Sequence, residues 1–537
     1  MYADYHTHFA LAHQKSLRYP DGMPTTPNTD RRALPWARWL VLAVVLFTLF
    51  FQLGTRALNE PDEGRYSEAG REMMATGNWL MPRINGIPHL SKPPLTYWCV
   101  GASLRLFGVN EFAARLPAAL AALSTLLAVY LLVRGAADEP TALWAVLMLT
   151  ASTLFFLIAR LITADMLLTC WVTWSVWALW RRSQWFFVFL GLGVLTKGPI
   201  AVVLPLFALI GLRPSLANFR WANGLLIFFA ISVPWFIVLA VQNAELWRYF
   251  FVREIFQRVA TTEHGRSQPW WFLIVVMLGG FLPWTFLLFS RRKLDAATRM
   301  FAAWAVLGLV LFSLSQSKLP TYVLPLMPPL AALAAMAQPR RWLNALSAVM
   351  LAIALALLVY YLRTRCGLPT PWVIGLGIAT GIGTLIALFN RYATVATFLA
   401  VVLAVVTLLP TIERQLRHNT SMKPLADRIR REDPERKALV ICHRCLPPTL
   451  LFYLQTKVWS YNPNAATKSS VFEFHHPTPG TPFIVTDAAA YRAMLTDERR
   501  VFCVASADEA EKMREETGVV WHELERAGQG VLYSNQP

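Results

Sequence analysis

The chain has 537 residues, of which 55% are hydrophobic and only 15% are charged. Soluble globular proteins carry about 25% charged residues. This composition and a mean hydropathy of +0.42 therefore exclude an ordinary soluble protein. The formal net charge of +18 would suit a nucleic-acid-binding protein. Much of the excess, however, lies in short loops between apolar runs, where basic residues orient a membrane protein and face anionic lipids. We therefore expect membrane lipids, and no nucleic acid, as partners.

The apolar runs divide the chain into a tail, a membrane domain and a second tail. Residues 1–35 are polar and are predicted to form a cytoplasmic tail. The first apolar run is predicted to be a retained anchor, because no cleavage site precedes it. Residues 36–411 form the predicted all-α membrane domain. We expect about thirteen transmembrane helices there, near residues 36–53, 114–134, 141–159, 163–180, 184–196, 199–212, 223–241, 270–289, 299–315, 320–336, 342–362, 372–389 and 392–410.

The basic residues predict the orientation of these spans. An odd number of spans places the two termini on opposite sides of the membrane. With the amino terminus in the cytoplasm, basic residues fall in the cytoplasmic loops, as the positive-inside rule requires. These residues are Arg181, Arg182, Arg213, Arg220, Arg291, Arg292, Lys293, Arg340 and Arg341. The loops 54–113 and 242–269 and the tail 412–537 then lie outside, and interfacial helices are expected within 54–113.

The tail 412–537 is predicted to be a small extracytoplasmic α/β domain, because short β-like runs alternate in it with helical patterns. The predicted strands are 438–442, 483–487, 501–504, 519–521 and 530–533, and a helix is expected at 507–517. Cys442 and Cys445 form a CxxC motif in the first of these regions. A single CxxC is weak evidence for zinc, and a disulfide or a plain structural role is favoured on the outer side.

Ionisable and phenolic residues collect on the predicted outer face, although they come from separate segments. A charge near the bilayer is costly and is usually functional or paired, whereas a lone Lys or Arg is as often an interface anchor. Anchors alone would populate both faces. The residues on the outer face are Asp62, Glu63, Arg65, Lys92, Asp165, Lys197, Glu263, His264, Lys318 and Tyr322.

Two aspartates are the candidate catalytic residues. Asp62 directly follows the first span, and Asp165 lies just inside a later one on the same face. Two carboxylates in one cavity resemble the acid–base groups of glycosyl chemistry. For Asp62 the alternative is a helix cap, since Pro61 and Asp62 suit a helix start. Lys92, Lys197 and Lys318 lie at outer turns and together indicate an anionic ligand such as a phosphate.

These residues stand in motifs that resemble the aminoarabinose lipid A transferase family of the GT-C superfamily, which also contains the protein O-mannosyltransferases. The likeness runs in order across nearly the whole chain. The motifs are PDEGRY at 61–66, KPPL at 92–95, RLITAD at 160–165, LTKG at 195–198, YFFVRE at 249–254, EHG at 263–265, QPWW at 268–271 and KLPTY at 318–322.

The resemblance implies a GT-C-like membrane fold with a small extracytoplasmic α/β domain, in a multi-pass protein of the bacterial inner membrane. It implies a donor in which undecaprenyl phosphate carries a sugar, 4-amino-4-deoxy-L-arabinose in the namesake members, and a lipid A phosphate as acceptor. Asp62 and Asp165 match the family's acidic residues. The positions that it implies for the carrier phosphate and cavity are Arg65, Tyr66, Lys92, Lys197 and Tyr322, and Lys318 is a further candidate from its place at an outer turn.

The resemblance also links His264 to a possible divalent metal, and Glu63, His89 and Glu263 are further candidates for the metal or the acceptor. The chain departs from the family pattern here. Ser91 stands where the family usually has an acidic residue, and His89 stands where it has an aromatic one. No cofactor is required by the motifs themselves.

Two other functions fit parts of the pattern. A protein O-glycosyltransferase of the same superfamily would use the same donor class with a Ser or Thr hydroxyl as acceptor. A lipid-linked sugar transporter would be a non-enzyme alternative, but transporters often contain internal repeats and midplane polar residues. We find no repeat, and the polar residues lie at one face. The sequence leaves the sugar and the acceptor open.

Overall fold

The computed structural model describes residues 35–213, 220–242, 268–337, 421–463, 481–496 and 499–537, and isolated positions between 343 and 381. The spans predicted at 342–362, 372–389 and 392–410 therefore lie outside the described residues, apart from those isolated positions. Glu263, His264 and Cys366 lie outside them as well.

The membrane part is mostly helical within the described residues. Its α-helices are α1 (Pro35–Phe50), α2 (Asp62–Thr76), α3 (Leu95–Phe107), α4 (Glu111–Ala136), α5 (Glu139–Ala151), α6 (Thr153–Ala159), α7 (Ala164–Trp180), α8 (Trp185–Lys197), α9 (Ile200–Leu212), α10 (Trp221–Ser232), α11 (Pro234–Gln242), α12 (Phe272–Gly280), α13 (Ala296–Leu314) and α14 (Met327–Ala335). Short 3-10 helices are Trp284–Phe289 and Pro320–Leu326, and a hairpin joins β1 (Arg83–Ile84) to β2 (Ile87–Pro88).

The predicted spans coincide with these helices, but several of the helices are short or broken. Among the described residues, only α4 and α13 are single helices long and apolar enough to cross a membrane. Two bent pairs raise that number to four if each is one span: α5 with α6, bent by 69°, and α10 with α11, bent by 42°. The second bend lies at Pro234, which cannot donate to the preceding turn. The total of about thirteen stays a prediction.

The core of the membrane part lies around α7, which packs against α4, α8 and α9. Large apolar side chains such as Phe155, Trp284 and Trp304 are fully buried in it. Other large apolar side chains, including Trp39 and Val241, point outward and are exposed. An apolar exterior around an apolar core is what lipid-facing helices require.

The C-terminal unit is an α/β fold with a mixed sheet. Its strands are β3 (Leu439–His443), β4 (Trp459–Tyr461), β5 (Ile484–Val485), β6 (Val501–Ser506), β7 (His522–Ala527) and β8 (Gly530–Ser534). In the order β5-β4-β3-β6-β8-β7, strands β3 to β6 pair in parallel, and β8 pairs antiparallel with both neighbours. Its helices are α15 (Lys423–Glu432), α16 (Pro448–Leu454), α17 (Ala488–Leu495) and α18 (Ala510–Thr517).

Four of the predicted strands match observed ones, and the helix expected at 507–517 is a 3-10 turn followed by α18. The strand predicted at 519–521 is wrong, because the chain pairs only from His522 onward. Cys442, Cys445 and Cys503 are free thiols, and Cys442 and Cys503 are fully buried. A hydrogen bond with Cys445 and burial raise the pKa of the Cys442 thiol well above its usual value. The structural interpretation of the CxxC motif therefore fits better than the disulfide.

The loop 54–113 and the C-terminal unit share one hydrophobic core. Leu58, Met73 and Tyr97 from the loop are buried with Leu450 and Phe452 from α16. Helix α2 is accordingly buried over much of its length, between α3 and α16. The C-terminal unit thus packs directly on the segment that carries Asp62.

Candidate active site

A partly open cavity of about 640 Å³ lies where the loop 54–113 meets the ends of the membrane helices. It receives side chains from α2, from the segment after the hairpin, from the start of α7, from the end of α8 and from the Pro320–Leu326 turn. The lining residues are Asp62, Arg65, Tyr66, His89, Ser91, Lys92, Thr163, Asp165, Lys197, Leu319, Thr321 and Tyr322. Most of the residues singled out in the sequence are therefore brought together.

Asp62 lies in the first turn of α2. The cap position is Pro61, which makes no side-chain capping bond, so Asp62 is not the helix cap. Its side chain is 60% exposed and forms an ion pair with Arg65 one turn later. The pair presents a carboxylate and a guanidinium side by side at the cavity.

Asp165 is at the other side of the cavity and is only 8% exposed. It lies in the first turn of α7 and forms an ion pair with Lys197, the last residue of α8. The Lys197 ammonium also lies 4.8 Å from the centre of the Tyr322 ring, a cation–π distance. Gly198, with φ of +78°, turns the chain there. A buried carboxylate needs such a partner.

Lys92 forms the third part of the wall. The hairpin β1–β2 leads into this segment, and the His89 amide donates to the Pro82 carbonyl at 2.8 Å. Ser91 Oγ lies 3.1 Å from His89 Nε2 and 3.3 Å from Tyr97 Oη. The Tyr97 ring is 5.3 Å from that of Tyr66. These contacts fix the backbone on which Lys92 is presented.

The cavity combines both signs of charge. Arg65, Lys92 and Lys197 are suited to a phosphate, and the carboxylates Asp62 and Asp165 are suited to a positively charged group. The buried hydroxyl of Thr163 has no hydrogen-bond partner within the described part of the chain, so it is available to a ligand. This arrangement can hold an anion and a developing cation next to each other.

The metal predicted near His264 has little support from the cavity residues that are described. Within residues 35–337 and 421–537, excluding the gaps given above, no group of His, Cys, Asp and Glu side chains forms a metal cluster. Ser91 offers a hydroxyl where a carboxylate would serve as a ligand, and its Oγ contacts His89. Both cavity aspartates are engaged by cations. The metal stays a prediction, and no step below depends on it.

Two predicted site residues point elsewhere. Glu63 is 3% exposed and accepts from Arg115 Nε at 2.7 Å and from Arg115 Nη2 at 2.9 Å. Burial alone would raise the pKa of the Glu63 carboxyl, but the charge and hydrogen bonds of Arg115 more than offset this, and the pKa is lowered. Lys318 donates to the Gln268 carbonyl at 2.9 Å and does not line the cavity. Neither side chain lines the described cavity, and the site roles predicted for both residues stay predictions.

Arg115 and Glu60 are two further residues at the site that the sequence does not predict. Arg115 is fully buried near the start of the long apolar helix α4, and an isolated Arg in such a helix is the signal that could have found it. Glu60 accepts from the amide and the hydroxyl of Thr449 in the C-terminal unit. Burial raises the pKa of the Glu60 carboxyl to about 7, although the Thr449 hydrogen bonds favour its ionised form. Nothing in the sequence near Glu60 indicates that distant partner.

We expect Glu63→Gln to lower the free energy of unfolding by about 3–5 kcal/mol, because Arg115 would keep its buried charge without a carboxylate. Chemical unfolding of the purified protein in detergent measures this. Glu435→Gln is the matched control, since Glu435 forms an exposed pair with Lys437 and should cost less than about 1 kcal/mol. Equal stability of the two variants would contradict the structural role of the Glu63–Arg115 pair.

Comparisons with known proteins find similar sequences and a similar fold. Residues 91–238 match a family model described as dolichyl-phosphate-mannose-protein mannosyltransferase. An undecaprenyl phosphate-alpha-4-amino-4-deoxy-L-arabinose arabinosyl transferase of Edwardsiella ictaluri is 34% identical over 328 residues, 56% of this chain and 59% of that protein. The corresponding transferase 1 of Proteus mirabilis is 35% identical over 324 residues, with the same coverage of 56% and 59%. The matched region thus spans 59% of the length of these curated relatives.

The structural comparison extends over nearly the whole chain. ArnT from Cupriavidus metallidurans, in a crystal structure with undecaprenyl phosphate bound, matches with a TM-score of 0.78 and 24% identity, over 94% of this chain and 98% of ArnT. The apo form matches with a TM-score of 0.77. The chain therefore has the membrane fold of ArnT, and the resemblance to the aminoarabinose lipid A transferases that its motifs predict is confirmed.

Proposed function

We propose that the protein is an integral-membrane glycosyltransferase of the inner membrane. It moves a sugar, here aminoarabinose, from an undecaprenyl-phosphate donor to an extracytoplasmic acceptor, here a lipid A phosphate. The observation that carries the proposal is the cavity itself, in which Asp62 and Asp165 stand among Arg65, Lys92 and Lys197. The names of the relatives and of the ligand in the ArnT crystal structure support the choice of sugar and carrier.

The cations of the cavity act on the donor phosphate. As the bond between the anomeric carbon and the phosphate oxygen breaks, negative charge grows on the leaving undecaprenyl phosphate. Lys92 and Arg65 offset that charge, with Arg65 offering the planar geometry that suits phosphate oxygens. Lys197 adds a further positive charge from the side of Asp165.

The carboxylates act on the sugar. Its ring becomes oxocarbenium-like in the transition state, and a fixed carboxylate in a cavity of limited water access stabilises that charge. A phosphate acceptor is already ionised and attacks without a strong base. Its oxygen then forms the new bond to the anomeric carbon. We propose a single displacement with inversion, because among the described residues the cavity lining holds no carboxylate apart from Asp62 and Asp165 that could act as a covalent nucleophile.

A second function is protein O-glycosylation. The description of the matching family model favours it, since the proteins so described act on protein. A hydroxyl acceptor must lose a proton, and the exposed carboxylate of Asp62 is a suitable base. Mass spectrometry of lipid A and of glycoproteins from cells with and without the gene separates the two acceptors. Aminoarabinose on lipid A that depends on the gene supports the first function, and its absence overturns it.

We expect Asp62→Asn and Asp165→Asn to reach the membrane and to lose activity on the order of a hundredfold, because Asn keeps the size but removes the charge. Transfer by purified protein, with undecaprenyl-phosphate-sugar as donor, measures this. Asp138→Asn is the matched control, because Asp138 does not line the cavity. It caps α5 by accepting a hydrogen bond from the Thr141 amide, and Asn caps a helix equally well. Normal turnover of Asp62→Asn would remove Asp62 from the chemistry.

We expect Lys92→Ala to weaken binding of undecaprenyl phosphate by about tenfold or more, since a charge-assisted contact to phosphate is lost. Titration of the purified protein with undecaprenyl phosphate measures the affinity. Lys437→Ala, at an 81% exposed lysine, should bind like the unaltered protein. If Lys92→Ala also binds normally, Lys92 is an interface anchor rather than a phosphate ligand.

We expect the amino terminus in the cytoplasm and the C-terminal unit in the periplasm, as the loop charges predict. A reporter enzyme that is active only in the cytoplasm, fused after Pro537, should therefore be inactive. The same reporter placed before residue 35 should be active and serves as the control. Activity of the C-terminal fusion would place the cavity on the cytoplasmic face of the membrane. That result would overturn the proposal that transfer takes place on the extracytoplasmic side.

A further inference from the structure

We propose that the segment from Thr449 to Val458 of the C-terminal unit is a positioning element of the transfer site. We call this segment the brace. It contacts two parts of the loop 54–113 that line the cavity. One is the turn that presents Asp62, and the other is the hairpin that leads into Lys92. The proposal rests on the proposed function, because it assigns these contacts a role in that reaction.

The first contact of the brace is to the Asp62 loop. Glu60 Oε1 accepts from the Thr449 amide at 2.6 Å and from the Thr449 hydroxyl at 2.5 Å. Glu60 precedes Asp62 by two residues. The packing is close as well, because a Cβ added at Gly64 would lie 2.8 Å from Thr449 Cγ2. The first turn of α2 is therefore held against α16 without an intervening layer.

The second contact supports the same loop one turn further along α16. The Leu58 amide donates to Tyr453 Oη at 2.8 Å, and that hydroxyl lies 3.2 Å from Glu111 Oε1, to which it can donate. Lys423 Nζ donates to the same Glu111 oxygen at 2.6 Å. Because the hydroxyl both accepts and donates, its orientation is fixed, and with it the path of the chain before Glu60.

The third contact is to the loop that presents Lys92. Asn85 Nδ2 donates to the Val458 carbonyl at 2.9 Å, and the Val458 amide donates to Asn85 Oδ1 at 3.1 Å. Asn85 is fully buried at the tip of the hairpin, with φ of +57°. The hairpin continues directly into His89, Ser91 and Lys92. Its tip is thus tied to the main chain of the brace.

Both ends of the brace are held by packing. Every residue of α16 is buried, and Val458 is fully buried at the other end, whereas Gln455, Thr456 and Lys457 between them are exposed. Buried, close-packed elements transmit position rather than absorb it. Asp62 and Lys92 belong to different parts of the loop 54–113, and the brace is one element that contacts both. It therefore sets the separation between the group that stabilises the sugar and the group that binds the leaving phosphate.

Such a separation matters because group transfer depends on near-attack geometry, and a shift of about 1 Å can cost on the order of a hundredfold in rate. The two ends of the brace should have different effects. Loss of the Thr449 end displaces Asp62 and affects turnover. Loss of the Asn85 end displaces Lys92 and affects binding of the carrier phosphate.

The test uses the purified full-length protein in lipid nanodiscs, with kcat and KM for the donor and with direct binding of undecaprenyl phosphate. Thr449→Val keeps the shape and removes the hydroxyl, and we expect kcat to fall by about tenfold or more with donor KM nearly unchanged. Thr449→Ser restores the hydroxyl and should restore kcat. Thr517→Val is the matched control, because Thr517 is buried in the same unit but bonds to Met513 and Trp521.

For the other end of the brace, Asn85→Gly tolerates the positive φ and removes the side-chain amide. We expect weaker undecaprenyl phosphate binding, on the order of tenfold, and a higher donor KM. The binding measurement with undecaprenyl phosphate does not need a transferred sugar. It therefore tests the brace even if the proposed sugar or acceptor is wrong. Absence of transfer by the unaltered protein, with binding still lost in Asn85→Gly, would overturn the proposed function alone.

Other outcomes overturn the brace. If Thr449→Val lowers only the thermal midpoint and turns over normally, like Thr517→Val, the contact is structural. The same conclusion follows if Thr449→Ser is as slow as Thr449→Val. Normal undecaprenyl phosphate binding by folded Asn85→Gly would show that the hairpin tip does not position Lys92.

Discussion

The buried guanidinium of Arg115 is the interaction on which the site depends. It donates to both oxygens of Glu63 and also to the carbonyls of Leu53, Arg56 and Ala57, the last two at 2.6 and 2.9 Å. A buried charge is tolerated only when its donors are satisfied. The chain between α1 and α2 is therefore held on one path. That path determines where α2 begins and hence where Asp62 meets the cavity.

Around that constraint, the three carboxylates of residues 60–63 have different environments. Glu60 accepts hydrogen bonds from the C-terminal unit, and Glu63 pairs with Arg115 in the membrane part. Only Asp62 remains exposed at the cavity, next to Arg65. Glu60 and Glu63, which flank Asp62 in the sequence, thus anchor the turn from opposite sides. The middle one is left with the exposure and the neighbours that a reacting group needs.

The sequence predicts part of this arrangement for physical reasons. Asp165 and Lys197 stand out because charges beside apolar helices are costly and must be paired or functional, and the structure pairs them. Residue type does not give the direction of a side chain, and Glu63 and Lys318 make their described contacts away from the cavity. The partner of Glu60 lies 389 residues away, and no local pattern reports it. Hydropathy located the apolar runs but not the bend of 69° between α5 and α6. The strand β7 is not predicted, because Leu524 and Ala527 are its only apolar residues and their spacing does not follow the alternation of a strand.

The two cavity aspartates keep their charges by different means, and this difference suits them to different tasks. Asp62 is exposed, so water and Arg65 together stabilise its charge, and an incoming acceptor can reach it. Asp165 is buried, and its charge is stabilised by Lys197, which is itself placed over the Tyr322 ring. Groups of one type in unlike surroundings take different roles in catalysis. On the proposed function, the exposed Asp62 is the aspartate that an acceptor can reach, and Asp165 with Lys197 forms a buried ion pair at the cavity wall. Of the two aspartates, the less enclosed Asp62 then has more need of outside support, and the C-terminal unit contacts the loop of Asp62 as well as the hairpin that precedes Lys92.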